Sequence, residues 1–249
     1  MLPMTIVIST KKNNRSTLHA SFWIVVQLLL LSCSSMGRDE AVIRIDFDHY
    51  SVNDSGDLLL ANDPASWKVE EGKLACMVSN KNQYLMLKND SIARDKGTLS
   101  IRTRLGFYND HVETRGVNWV GFCIGCNRIG DSPANPIGLK AGIGTNGSLF
   151  IGDPNIGHID NPLGKALDGE LELEMEISSK SSHNAINLKV LQAGTGNVLA
   201  HISKKKISSK TLKGMVGLVS DFKSSEERAN KKSAYFTYWE ISRGNLNKN

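Results

Sequence analysis

The octet Glu170-Leu-Glu-Leu-Glu-Met-Glu-Ile177 sets an acid at every even position and a large apolar residue at every odd one. A helix, with 3.6 residues per turn, would scatter those acids around its circumference. A strand instead sorts them onto one face and buries Leu171, Leu173, Met175 and Ile177 on the other. The same period of two runs through Val42–Asp48, where Ile43, Ile45 and Phe47 oppose Arg44, Asp46 and Asp48. It recurs in 98–105, with Leu99, Ile101, Thr103 and Leu105 in register. Shorter segments of the same character cover 73–78, 84–87, 119–124, 138–143, 148–151, 186–191, 198–202, 214–219 and 235–242. Turn formers separate them: Asn53-Asp-Ser-Gly, Glu71-Gly, Thr145-Asn-Gly, Asp168-Gly and Gly194-Thr-Gly-Asn. No amphipathic run is long enough for a helix, and 224–232 reads as a short exposed turn or a loop. About a dozen half-buried strands at such spacing predict an all-β fold of two antiparallel sheets packed face to face. No Pro/Ser-rich linker divides them, so residues 41–243 form one predicted domain, with 244–249 a polar, disordered tail.

The first 33 residues have another character. Lys11, Lys12 and Arg15 precede the uncharged run from Phe22 to Leu31, which ends in Leu30-Leu-Ser-Cys33. A basic region, a short apolar core and a small residue before a cut describe a secretory signal peptide. The core falls short of the ~20 apolar residues that a membrane-spanning helix needs. Cysteine directly after Leu-Leu-Ser resembles the lipobox of bacterial lipoproteins, in which Cys33 would become the lipid-bearing first residue. An ordinary signal peptide or anchor with an incidental cysteine is the alternative. Residues 34–40 then form a tether, and the predicted location is outside the cytoplasm, anchored to a bacterial membrane, periplasmic or at the cell surface. Removal of the leader takes three of the 30 basic residues and none of the 25 acids, leaving 27 against 25. So balanced a surface gives no reason to propose nucleic acid as a partner. The run Lys204-Lys-Lys206 reads as a solvated strand end.

Three cysteines follow Cys33, namely Cys76, Cys123 and Cys126, so an exported chain keeps at least one thiol unpaired. The CxxC of Cys123 and Cys126 suggests a redox pair or half a zinc site. Residues three apart on a regular strand point to opposite faces, however, and no further ligand motif completes a site. The expectation is of buried core residues.

The order of elements resembles the concanavalin/laminin-G type of jelly roll. It has an Asp-Phe-Asp opening strand and the hairpin Trp67-Lys-Val-Glu-Glu-Gly-Lys-Leu74. It closes with a glycine-led strand from Gly214 and the aromatic strand Tyr235-Phe-Thr-Tyr-Trp-Glu-Ile-Ser242. A narrower resemblance rests on Cys76-Met-Val-Ser-Asn-Lys-Asn-Gln83, Arg104-Leu-Gly-Phe107, Asn118-Trp-Val-Gly-Phe122, Gly138-Leu-Lys-Ala-Gly-Ile143 and Gly147-Ser-Leu-Phe-Ile-Gly-Asp153. These phrases are similar to the N-terminal accessory sandwich of secreted Bacteroidetes alkaline phosphatase D-like metallophosphoesterases. That resemblance implies a catalytic partner domain. The clustered Asp, His and Asn ligands of a two-metal phosphatase are missing from this sequence, so no phosphatase role passes to any residue here.

Laminarinase-type glycoside hydrolases share the jelly roll and place three acids two apart on one strand, as Glu172, Glu174 and Glu176 are placed. A retaining mechanism needs two carboxyls about 5 Å apart. Here the middle acid is Glu rather than Asp, no tryptophan adjoins the strand, and Glu170 extends the repeat to a fourth acid. A plain solvent face yields the same pattern, and scaffold is the favoured reading. Tyr108, Trp119 and Trp67 are the aromatic candidates for stacking on sugar rings, against a core role for Trp67 and Trp119 and an edge cap for Trp239. Asp46 and Asp48, with Glu240, offer three of the six to eight oxygens that a structural calcium requires, and an empty site is the default. No other cofactor is expected. His111, His158, His183 and His201 share no motif spacing and read as surface residues. The segment from Gly142 to Gly147 reads as a hairpin turn rather than a nucleotide loop. Together these features predict an exported, lipid-anchored, non-catalytic module with glycans as its ligand class. The accessory phosphatase domain and the laminarinase-type hydrolase are the alternatives.

Overall fold

A computed structural model describes residues 5–7, 42–49, 59–79, 81–87, 97–108, 118–126, 138–156, 163–179, 183–222 and 231–244. Cys33, the tether, the tail beyond Gly244, His111, His158 and 223–230 lie outside the described residues. The described strands are β1 (Thr5–Val7), β2 (Val42–Asp46), β3 (Leu59–Ala61), β4 (Trp67–Glu70), β5 (Lys73–Met77), β6 (Gln83–Leu87), β7 (Thr98–Phe107) and β8 (Trp119–Cys126). They continue with β9 (Leu139–Gly144), β10 (Leu149–Ile151), β11 (Leu171–Ser179), β12 (Asn184–Gln192), β13 (Val198–Ile207), β14 (Met215–Asp221) and β15 (Lys232–Gly244). Among the described residues the intervening helical turns are short 3-10 segments, the longest being Gly164–Asp168.

The strands form two sheets. One runs β1-β2-β15-β7-β11-β12-β13, with the β4-β5 hairpin also on β15; the other runs β10-β9-β8-β14-β6-β3. All pairings are antiparallel except the edge pair of β1 with β2. This is the antiparallel two-sheet jelly-roll sandwich that the periodicity predicts. The octet behaves as its pattern requires: Leu171, Leu173, Met175 and Ile177 are buried, while Glu172, Glu174 and Glu176 alternate with them at the surface side. Beside it in the same sheet, β7 contributes Leu99, Ile101 and Leu105, and β12 contributes Ile186, Leu188 and Val190, all to one core between the sheets. At ~25 cal/mol per Å² of apolar surface removed from water, that shared burial is the main force holding the layers together.

Two expectations are corrected. Trp239 does not cap an edge. It is 1% exposed and inside the core, because β15 sits between β2 and β7 in the middle of its sheet. Cys123 and Cys126 do not point to opposite faces, and they form a disulfide. Met215 pairs with Cys126 but Val216 pairs with Ile124, so Gly125 is an extra residue in a β-bulge. With φ at +67° Gly125 adopts the left-handed conformation, which turns Cys126 back onto the face of Cys123. Cys76 remains a free, buried cysteine.

Candidate functional site

The two outer faces of the sandwich differ in chemistry. That of the six-stranded sheet carries a second buried apolar cluster, including Tyr84, Met86, Trp119, Phe150 and the disulfide. Trp119 lies edge-on to Phe150, their ring centroids 4.9 Å apart, and its Nε1 donates to Asp221 Oδ2 at 3.0 Å. Asn82 Nδ2 donates to the Tyr84 hydroxyl at 3.2 Å, and burial pushes the Tyr84 phenol up to about 12. Trp67 is 2% exposed and packs near Phe236 in the central core. Neither Trp67 nor Trp119 therefore offers a ring face to a sugar, which corrects their candidacy as stacking platforms.

The outer face of the nine-stranded sheet is a ladder of charges and tyrosines. Arg102 Nη2 reaches Glu172 at 3.3 Å and Glu174 at 2.9 Å, and Lys189 Nζ reaches Glu174 at 3.2 Å. Glu172, Glu174 and Glu176 thus share a face as the spacing predicts, but cross-strand cations hold the first two. Arg44 is likewise gripped by Asp46 and Glu240, each at 2.9 Å. Its guanidinium occupies the position between these carboxylates that a calcium ion would need, and Asp48 lies apart in the 3-10 turn Phe47–His49. Among the described residues no group of three or more His, Cys, Asp or Glu is placed to hold a metal ion.

Aromatic rings interleave with these charges because β15 supplies Tyr235 and, beyond a bulge at Thr237, Tyr238 to the same face. Arg44 lies 4.4 Å and Arg104 5.8 Å from the Tyr238 ring centroid. Burial, then the neighbouring Glu172, pushes the Tyr238 phenol up to about 12. Lys73 sits 4.0 Å from the centroid of Tyr235, and Tyr108 meets Tyr235 edge-on at 5.2 Å. Tyr235 crosses Gly106, its register partner, so closely that a Cβ there would lie 2.4 Å from the ring. Only glycine leaves room for the ring to lie flat on the sheet. Burial raises the phenols of Tyr108 and Tyr235 above their ordinary range. Both are half-buried, so Tyr108 alone of the three aromatic candidates keeps open surface.

This face runs into a cleft of about 540 Å³ at the end of the sheet, within the roughly 300–1,000 Å³ of small-molecule sites. Arg104 of β7, Glu170 at the start of β11, Lys165 of the 3-10 turn and Gln192 and Gly194 of the β12–β13 turn line it. Glu170 links cleft to ladder, since its Oε1 accepts from Lys73 Nζ at 3.4 Å. Arg104, Lys165, Gln192 and Tyr235 are not legible as a site in sequence. Antiparallel pairing of β7 with both β11 and β15 brings together residues up to 131 positions apart, and no local motif encodes that.

Neither a family model nor a curated protein matches the sequence. Solved structures do match the fold. The winged bean acidic lectin complexed with methyl-alpha-D-galactose aligns over 82% of this chain and 98% of its own, at 9% identity and a TM-score of 0.52. The Lotus tetragonolobus seed lectin aligns over 81% and 98%, at 11% identity and a TM-score of 0.54. The Emp46p carbohydrate recognition domain in its potassium-bound form aligns over 77% and 91%, at 14% identity and a TM-score of 0.54. At such identities the likeness establishes the architecture, a concanavalin A-like β-sandwich. It carries no residue over.

Proposed function

We propose that this chain is a glycan-binding module whose site is the cleft of Arg104, Lys165, Glu170 and Gln192 with the adjoining Tyr235 and Tyr108. The observation that carries this reading is the junction of an open cleft holding Arg104, Lys165, Glu170 and Gln192 with half-buried tyrosines on one sheet. Sugars present hydroxyls that need paired donors and acceptors, and apolar ring faces that stack on aromatics. Arg104 and Gln192 supply donors, while Glu170 and the Gln192 carbonyl supply acceptors. The lectin neighbours named above support the same class of ligand by fold analogy. Export through the 1–33 leader, with lipid attachment at Cys33, belongs to the proposal and would hold the module at a membrane surface facing external glycans. Cleavage there would remove β1, a three-residue strand at the sheet edge beside β2. No described helix is long and apolar enough to cross a membrane.

Catalysis is not part of the proposal, because Glu172 and Glu174 are tied to Arg102 and Lys189 rather than disposed around an open cleft. The phosphatase accessory reading rests on sequence phrases alone. A docked catalytic domain would favour an apolar face, yet Val198 is the one large hydrophobic residue exposed among those described. A glycan array followed by calorimetry on the exported chain tests the proposal. Saturable binding that Tyr235→Ala and Gln192→Ala each weaken at least about tenfold, with folding intact, is the expected result. Absence of saturable binding to any glycan overturns it.

A further inference from the structure

The charges around the cleft do not cancel. Glu170, its acid, is neutralised by Lys73 across the surface at 3.4 Å. Arg104 faces Glu172 in the strand register, but that carboxylate is engaged by Arg102 at 3.3 Å and lies beside the Tyr238 hydroxyl. Arg104 therefore makes no ion pair among the described residues, and its Nε is buried there without a hydrogen-bond partner. Its other contact is the face of Tyr238, which fixes the plane of the guanidinium without satisfying its N–H groups. A guanidinium that lines a cleft with its charge unmatched favours an incoming anionic acceptor. Lys165, exposed in the lining of the same cleft, also forms no ion pair among the described residues. Two uncompensated cations thus share one cleft with a compensated acid.

We infer that the cleft selects glycans bearing an oxyanion, a carboxylate or a sulfate, with Arg104 binding the anionic group in a forked geometry and Lys165 closing over it. This rests on the reading of the cleft as the glycan site. A planar guanidinium pairs two parallel N–H groups with two oxygens of a carboxylate or sulfate, and charged hydrogen bonds of this kind are about twice as strong as neutral ones. Neutral sugars would leave both cations unmatched.

The test is calorimetry of the exported chain with three probes: a uronic acid oligosaccharide, the same oligosaccharide after reduction of its carboxyls to alcohols, and a sulfated oligosaccharide. At least one anionic probe is expected to bind about tenfold or more tighter than the carboxyl-reduced one. Arg104→Gln should abolish that preference, bringing the anionic probe down to the affinity of the carboxyl-reduced one, while leaving the thermal unfolding midpoint in place. Rising salt should erode the preference too. The uronate and sulfated arms show which oxyanion is taken. Equal affinity for all three probes overturns the inference while leaving glycan binding intact. A preference that survives Arg104→Gln together with Lys165→Gln overturns it as well. Failure of every probe in an array and in calorimetry overturns the glycan reading itself.

Discussion

The indole of Trp119 and the carboxylate of Asp221 stand at the start of β8 and the end of β14, 102 residues apart in sequence, and meet at 3.0 Å on the buried outer face of the six-stranded sheet. This bond resolves the cost of burying an indole N–H. The Nε1 atoms of Trp67 and Trp239, by contrast, find no partner among the described residues. Trp119→Phe should therefore destabilise the domain by about 1.5–3 kcal/mol beyond the loss of ring volume. Trp239→Phe, which removes an unpaired donor, should cost the volume term alone. Urea denaturation of both variants checks the difference, and equal losses would deny the bond any net worth.

The β8 bulge should not tolerate a side chain. An alanine at position 125 meets left-handed backbone strain of about 1–2 kcal/mol, and its Cβ would come 2.1 Å from the Thr211 carbonyl oxygen. Gly194 has a similar φ of +82° but nothing within 4 Å of a Cβ, so Gly194→Ala should cost the strain alone. Gly125→Ala should also leave Cys123 and Cys126 as thiols, two more than the parent protein shows in a thiol titration under denaturing, non-reducing conditions.

Period-two burial predicts a contrast within one strand. Leu173→Ala opens a cavity in the shared core and should cost about 2–5 kcal/mol. Glu176→Gln, three residues along on the surface side, should change stability by less than about 0.5 kcal/mol. Denaturant midpoints for the pair measure the contrast directly. A large loss from Glu176→Gln would show that the acidic face does more than stay wet.

Alkaline pH should unfold the domain through its buried acids of high pKa. Burial pushes the Cys76 thiol from 9.0, and the Tyr84 and Tyr238 phenols from 10.0, up to about 12. The unfolded chain therefore releases these protons first, and the native state holds them longer. The stabilisation is complete below about pH 9 and is lost as pH climbs from there to about 12. Tyrosinate absorbance rising in step with loss of native structure across that window is the expected signal. Flat stability to pH 12 would contradict it.

Gly106→Ala should lift the Tyr235 ring off the sheet, since the added methyl falls within 2.4 Å of it. The displaced ring would shift Lys73, which lies over it and pairs with Glu170 of the cleft, so glycan affinity should drop about tenfold while the core remains folded. Calorimetry on the variant, with its thermal midpoint as the control, decides the matter.

Strand after strand was legible in the sequence because alternation is a local property. Leu171, Leu173, Met175 and Ile177 state their shared face without reference to any other segment, and Thr145-Asn-Gly states its turn. The same locality misleads at Cys123 and Cys126. A period of two separates them, and the bulge at Gly125 that reunites them exists only against β14. Trp239 shows the same limit, because its place in the core depends on β15 lying between β2 and β7.

The amino-acid order alone determined that this chain makes sheets, where their apolar faces lie, and that the acids of β11 belong at the surface. Only the tertiary structure decided which cations those acids would meet, and hence which cation would be left over. Arg102 and Arg104 are equivalent by alternation. Cross-strand register sets one carboxylate opposite each, Glu174 and Glu172, yet Arg102 reaches both and Arg104 is left facing a cleft, because charge pairing is settled by distances of a few ångströms between strands that the sequence holds far apart.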